Sequence, residues 1–501
     1  MMIDFMRNIF AKYLFALLLT ALLAACKKDD TCSISFPVNG AFVNGWGQSV
    51  TVTFETSNVS SVTVTATNGW EGSANLATHT LTVTAPENEE VKDAKESSTV
   101  TITATSPAGK TSTATLNAYI ITETVDLSAD GPSNSYVVTK PNTKYRFSVN
   151  FKGETDERLA TASAGIVWVT SSNLIRYLTY NNDGYVEFYV AYNTDSDSEL
   201  REGNALIAAY NSDEEIIWSW HLWLTNSDPR TEDGVETYSN GATFMGRNLG
   251  SFGNSDGSTD TDEIHASYGL YYQWGRKDPF PRPRYYNCAN NSDEARYNAT
   301  NSSISMGVVK SDAEKGTIAY ATAHPNAFLI SPDGNDGDWL YGHRDDSLWG
   351  NHNGNGTKSM YDPCPRGWQV PAQNDFSNLE LAEEDDTMDL ELAKKTFGWF
   401  LTDKEGFTNS PRHFYTGAGY RSYFDGVLSN VNYKDQYPYT PVPWVGYYWT
   451  QGVDGTNSTA MFFDLNTTRA TINAFEPKTP QYRANGMQVR CVKSERAVGG
   501  R

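Results

Sequence analysis

The sequence predicts a mainly β chain in three modules. An Ig-like β-sandwich covers 34–121, a second β-sandwich-like module covers 122–228, and a mixed α+β domain covers 229–495. Three observations carry this reading. Up to Ile121, short runs alternate apolar and polar residues with period two and show no helical pattern. A second group of strand-like runs extends to Asp228. From Pro229 the composition shifts to Tyr, Trp, Gly and Asn, with long irregular stretches and one helical region.

Length and charge agree with this division. At about 150 residues per domain, 501 residues correspond to roughly three domains. Lys plus Arg number 39 and Asp plus Glu 60, a formal charge of −21, so a binder of nucleic-acid phosphates is disfavoured and no nucleic-acid partner is expected. Aromatics make up 13 %, too many for a disordered chain.

Arg7 and Lys12 precede the apolar run Leu14–Ala25. As a helix that run spans about 18 Å, too short for a hydrocarbon core of about 30 Å. A basic start, a short apolar stretch and small residues describe a secretory signal peptide over 1–25. It ends in Leu23-Ala24-Ala25-Cys26, which resembles a bacterial lipobox, so Cys26 is expected to carry lipid. Several acyl chains anchor stably where one does not. Lys27-Lys28-Asp29-Asp30, in a tether over 26–33, resembles the export signal of Bacteroidetes-type surface lipoproteins. The expectation is an outer-membrane protein facing outward, touching the membrane only through its lipid.

In the first module Val50, Val52 and Phe54 alternate with Thr51, Thr53 and Glu55. Val62 to Ala66, Leu81 to Ala85 and Val100 to Ala104 repeat the pattern. Thr on the wet side and apolar residues inward mean half-buried strands. In the second module Tyr145–Phe151, Ile166–Thr170, Leu174–Tyr180 and Tyr185–Ala191 are strand-like, and Asn204–Tyr210 with Ile216–Leu224 read as a hairpin. Ile216–Leu224 is apolar on both faces and carries Trp218, Trp220 and Trp223. A buried strand is favoured over a sugar-stacking stripe, which makes His221 an internal histidine. In the third module Pro371 opens a helical region, with Asn374 or Asp375 as cap and Phe376, Leu379 and Leu381 following, and a second helical run covers Met388–Phe397.

The third module also carries ordered motifs: Arg247-Asn248-Leu249-Gly250, Gly269-Leu270-Tyr271-Tyr272-Gln273-Trp274-Gly275, Tyr361-Asp362-Pro363-Cys364-Pro365-Arg366-Gly367-Trp368, Gly419-Tyr420-Arg421-Ser422, Gly446-Tyr447-Tyr448-Trp449 and Val489-Arg490-Cys491-Val492. Together they resemble the Fibrobacter succinogenes major paralogous domain family, over roughly 125–495. The resemblance implies a C-type-lectin-like fold, related to formylglycine-generating enzymes and to variable receptor-binding proteins. Gly246 stands where Asp is expected before Arg-Asn-Leu-Gly, and Thr450 where Ser is usual.

Cys364 and Cys491 lie in two of these blocks. After export they are expected to form a disulfide, with two buried thiols as the alternative. Nothing in the sequence pairs Cys32 with Cys288. Asp333-Gly334-Asn335-Asp336-Gly337-Asp338 and Asn254-Ser255-Asp256-Gly257 are oxygen-rich, so calcium stays open, although EF-hand spacing fails and such runs commonly form turns. No other cofactor is indicated. No GxSxG elbow, P-loop, dinucleotide fingerprint or zinc motif is present.

The sequence therefore points to a non-catalytic surface protein that displays a lectin-like domain to glycan or protein ligands. A structural or tip subunit of a surface appendage and a surface polysaccharide hydrolase are the alternatives. By the resemblance, loops of the C-terminal half form the recognition face. Tyr423, Asp425, Tyr437, Tyr439 and Trp444 lie between family blocks and are the expected ligand residues, since Tyr and Trp offer large rigid contact area.

Overall fold

The computed structural model describes residues 31–38, 40–121, 123–193, 198–231, 235–285, 293–331, 336–350, 357–383, 389–404, 412–429, 445–464 and 474–494. Cys26 and the Lys-Lys-Asp-Asp run lie outside these residues. The chain forms two compact units, Met1–Glu123 and Thr124–Arg501.

The first unit is a β-sandwich. Its strands are β1 (Ser33–Ser35), β2 (Gly40–Val43), β3 (Ser49–Thr53), β4 (Glu55–Ser57), β5 (Ser61–Ala66), β6 (Glu71–Asn75), β7 (Thr80–Thr84), β8 (Ser97–Thr105) and β9 (Thr111–Ile120). One sheet has the order β2-β9-β8-β5 and another the order β3-β7-β6. Alternation decides which side chains go in: Leu81, Val83, Val100 and Ile102 are fully buried and pack with Phe54 and Trp70. The intervening Thr residues face water, and some pair across strands, as Thr51 and Thr82 do through their hydroxyls at 3.0 Å.

The second unit opens with β10 (Glu123–Asp126), β11 (Ser135–Val138), β12 (Thr143–Ser148), β13 (Ser163–Val169), β14 (Arg176–Tyr180), β15 (Tyr185–Val190), β16 (Gly203–Tyr210) and β17 (Ile216–Leu224). Sheet β10-β12-β15-β14 packs against a six-stranded sheet of order β11-β17-β16-β13, continued by Arg296–Tyr297 and Ser303–Ile304. The predicted hairpin is β16–β17, paired from Gly203↔Leu224 to Tyr210↔Ile216. All three Trp of β17 are buried, so no stacking stripe exists there. His221 is internal as read: Asn204 Oδ1 lies 2.8 Å from Nε2 and Ser135 Oγ 3.3 Å from Nδ1.

The boundary read at 228 divides the sequence, but the segments on either side of it share one compact unit. Val169 of β13 pairs with Tyr297. Trp168 and Trp223 from the earlier segment share a core with Trp274, Trp339, Trp349 and Trp449 from the later one. The expected disulfide is present: Cys364 and Cys491, 127 residues apart, have Cα atoms 6.0 Å apart and are fully buried. Cys32 is a free thiol, and Cys288 lies outside the described residues.

The helical expectations need two corrections. Phe376–Leu381 is not a helix. The Asp375 carboxylate accepts the Ala372 N–H at 2.7 Å, fixing a turn, and Leu379–Leu381 pairs as a strand with Gly398–Asp403. Of the second run, Leu390–Thr396 is helical, ended by Phe397 in the left-handed conformation. Two further short helices, Thr261–Ser267 and Ile318–Ala323, are capped by Asp260 and Thr317. Each is too short to print a helical period in the sequence.

Candidate ligand-binding face

Of the five expected ligand residues, Tyr423 and Asp425 are described; Tyr437, Tyr439 and Trp444 lie outside the described residues. Tyr423 and Asp425 sit in the turn between the short strands Tyr420–Arg421 and Leu428–Ser429. The turn is closed by paired backbone bonds, Ser422 N–H to Val427 C=O at 2.9 Å and Gly426 N–H to Ser422 C=O at 2.8 Å. Asp425 accepts the Val427 N–H at 3.0 Å, so its carboxylate shapes the loop as well as facing out of it. Behind the turn, buried Arg421 donates to the Gly426 carbonyl at 3.0 Å and to Pro281 O, and pairs with Asp293. Gly426 has φ +73°, and a Cβ there would meet Phe328 and Val308 at 3.2 Å, so the turn packs closely against its neighbours.

Tyr423 is half-buried and held at both ends of its peptide. Its N–H donates to Asn485 Oδ1 at 2.8 Å, and its carbonyl accepts the Ser331 N–H at 2.8 Å. Its ring packs on Tyr482, centroids 4.4 Å apart at 50°, and meets Phe424 edge-on at 6.4 Å. Phe424 is 55 % exposed and Tyr482 42 %. Three aromatic rings thus adjoin one another, two of them with much of their apolar area open to solvent.

Tyr482 is placed by its own neighbours. Asn485 N–H donates to Tyr482 O at 3.0 Å, and Ala484 N–H donates to Gly337 O at 2.8 Å. Gly337 has φ +69°, and a Cβ there would fall 2.2 Å from Tyr482 Cδ1, so only glycine leaves the ring room. Arg483, the next residue, turns inward, with its guanidinium 4.5 Å from the Trp274 ring centroid and paired with Asp346. Sequence reasoning misses Phe424 and Tyr482. Phe424 stands in the same stretch between family blocks as Tyr423, which is the signal that could have found it. Tyr482 lies far along the chain and carries no such signal.

Of the aromatics inside the last family blocks, Tyr448 and Trp449 are core: both are fully buried, and Trp449 Nε1–H donates to Tyr272 O at 2.7 Å. Burial pushes the hydroxyls of half-buried Tyr420 and Tyr447 up from their ordinary range, which keeps both neutral. Asn254-Ser255-Asp256-Gly257 is a turn, with Ser258 N–H donating to Ser255 O at 2.8 Å. Asp333-Gly334-Asn335 falls outside the described residues. Among the described residues no group of three His, Cys, Asp or Glu side chains could hold a metal ion.

The fold and this face define the class: a mainly β chain of two units, with a β-sandwich in the first and an exposed aromatic cluster in the second. No family of known proteins matches the sequence, and no curated protein matches it. Among solved structures the chain is similar to the D00-D0 domain of intimin, at 13 % identity over 38 % of this chain and 96 % of that one, with a TM-score of 0.14. It is similar to the N-terminal Ig1-2 module of Drosophila receptor protein tyrosine phosphatase DLAR, at 12 % identity over 38 % and 98 %, TM-score 0.15. It is also similar to Bacteroides ovatus SGBP-B of a mixed-linkage glucan utilization locus, solved with a mixed-linkage heptasaccharide, at 12 % identity over 55 % and 67 %, TM-score 0.14. These likenesses assign no function to any residue of this chain.

Proposed function

We propose that the chain is a lipid-anchored surface protein of the outer membrane. Its second unit carries a lectin-like, non-catalytic recognition domain for a glycan or protein ligand. The observation that supports this is the aromatic cluster of Tyr423, Phe424 and Tyr482, held by backbone bonds on both sides and open to solvent. Rings fixed before binding lose little entropy on binding, and aromatic side chains anchor both sugar faces and protein patches. Asp425 supplies a polar acceptor at the edge of the cluster, and Tyr437, Tyr439 and Trp444 complete the proposed ligand set.

The test is a glycan and surface-protein array probed with the full chain, followed by titration of whatever binds. Phe424→Ala with Tyr482→Ala should weaken binding by about thirtyfold or more, the equivalent of about 2 kcal/mol. Both side chains are exposed, so the variant should fold and melt normally. Unchanged affinity in a folded double variant would remove this face from consideration. Turnover of a labelled polysaccharide would instead favour the hydrolase reading.

A further inference from the structure

The rings of the aromatic face do not share a plane. Tyr482 is tilted 50° from Tyr423, and Phe424 is tilted 78° from it. A flat sugar ring can lie against only one such face at a time. A compact cation carried on a flexible stem needs no flat platform, and it is attracted to the negative face of an aromatic ring. Phe424 and Tyr482 are the two rings with surface to offer, at 55 % and 42 % exposure.

The exposed charge at this face has one sign. Three segments build it: 420–429, 336–340 and 481–485. Their cations are turned inward and already paired. Arg421 is buried against Asp293, and Arg483 is buried against Asp346. Asp338 is buried too. The charged side chains left exposed in these segments are two carboxylates, Asp425 and Asp336. Asp425 directly follows Phe424 and accepts the Val427 N–H at 3.0 Å. Asp336 directly precedes Gly337, whose backbone lies against the Tyr482 ring. Lys310 ends the neighbouring strand Gly307–Lys310, opposite Ile330, and has an interaction of its own. The whole chain carries a formal charge of −21, so its long-range field also draws cations.

Resting on the reading of this face as the binding site, we propose that its ligand is a basic segment of a partner protein. A lysine or arginine side chain would lie against Phe424 and Tyr482, in the field of Asp425 and Asp336. A neutral glycan would gain nothing from those carboxylate charges.

Anisotropy titration of the full chain with short labelled peptides, alternating Gly with Lys or Gly with Arg, tests this. The same peptides with acetyl-lysine or citrulline keep a similar stem without the charge, and a chitosan oligosaccharide places amino groups on a glycan. At least one basic peptide should bind, its uncharged counterpart should bind about tenfold more weakly, and raised ionic strength should weaken the binding. Phe424→Leu with Tyr482→Leu keeps apolar area and removes the rings, and should weaken binding by about tenfold. Asp425→Asn retains an oxygen for the Val427 N–H, so it should fold normally and weaken binding by about threefold. A chain of charge −21 can attract basic peptides at many places, which makes the ring variant decisive. Binding unchanged in that variant, equal binding of the uncharged peptides, binding of neither basic peptide, or tighter binding of the chitosan oligosaccharide would each overturn the proposal. The two readings of the face fail differently. If an array ligand loses affinity with Phe424→Ala and Tyr482→Ala while the basic peptides do not bind, the cationic ligand alone is ruled out. If no ligand responds to either pair of substitutions, the face is not the site.

Discussion

His221 shows how burial alone sets a residue's chemistry. Its ring nitrogens have internal partners, and desolvation drives its pKa down to about 3. In the unfolded chain it titrates near 6.5, so between those values the unfolded state holds a proton that the folded state lacks. The stability His221 contributes is complete above pH of about 6.5 and is lost as pH falls toward about 3. Asp338 and Asp362, raised by burial to about 6, act in the opposite sense: their contribution is complete below pH of about 4 and is lost as pH rises through about 6. Comparing His221→Gln with the parent chain isolates the histidine. Between pH 7 and pH 5 the parent should lose about 2 kcal/mol more than the variant in denaturant unfolding. Equal losses would mean that the ring reaches solvent or titrates normally.

At the scale of elements, rigid connections hold the aromatic face in place. Gly337 is the sharpest case, because a methyl group there would strike the Tyr482 ring. Gly337→Ala should destabilise by about 1 kcal/mol or more through its positive φ, and should weaken ligand binding without contacting the ligand. A melting curve and a titration on the same preparation check both halves of that expectation. The Cys364–Cys491 bridge ties the loop before Trp368–Gln369 to the segment that enters the final strand Val492–Lys493, and these two strands pair. Closing a loop of 127 residues is worth up to about 5 kcal/mol on the chain-entropy view. Reduction should therefore lower the denaturation midpoint of the second unit markedly and leave the first unit, whose one described cysteine, Cys32, is a free thiol, where it was.

The whole molecule divides into two units with separate cores, so two unfolding transitions are expected in calorimetry, the second alone responding to reductant. The lipid-anchor reading belongs to this scale as well. Labelled acyl chains should be recovered on Cys26, and protease added to intact cells should reach both units. An unlabelled and shielded chain would refute this reading, whereas a labelled but shielded chain would be a lipoprotein facing the periplasm.

The sequence by itself determined the four alternating runs of the first unit that form β3, β5, β7 and β8, because a period-two pattern such as Val100, Ile102 and Ala104 can bury one face only as a strand. It determined that β17 is internal, because a strand apolar on both faces has no side to give to water. The pair Cys364 and Cys491 was legible from the blocks that contain them. Other features were decided only by the tertiary structure. The run at Phe376–Leu381 satisfies a helical pattern, yet Gly398–Asp403 offers Leu379–Leu381 a strand partner, and pairing with a distant segment overrides local propensity. Val169 and Tyr297 join segments that composition separates, and no local signal marks that bridge. Tyr423 and Tyr482 meet only because Asn485 and Ser331 hold the Tyr423 peptide from two other parts of the chain. Local periodicity reports which face of an element is apolar. Which distant loops converge is fixed by long-range hydrogen bonds and packing, and the candidate sites lie where those loops meet.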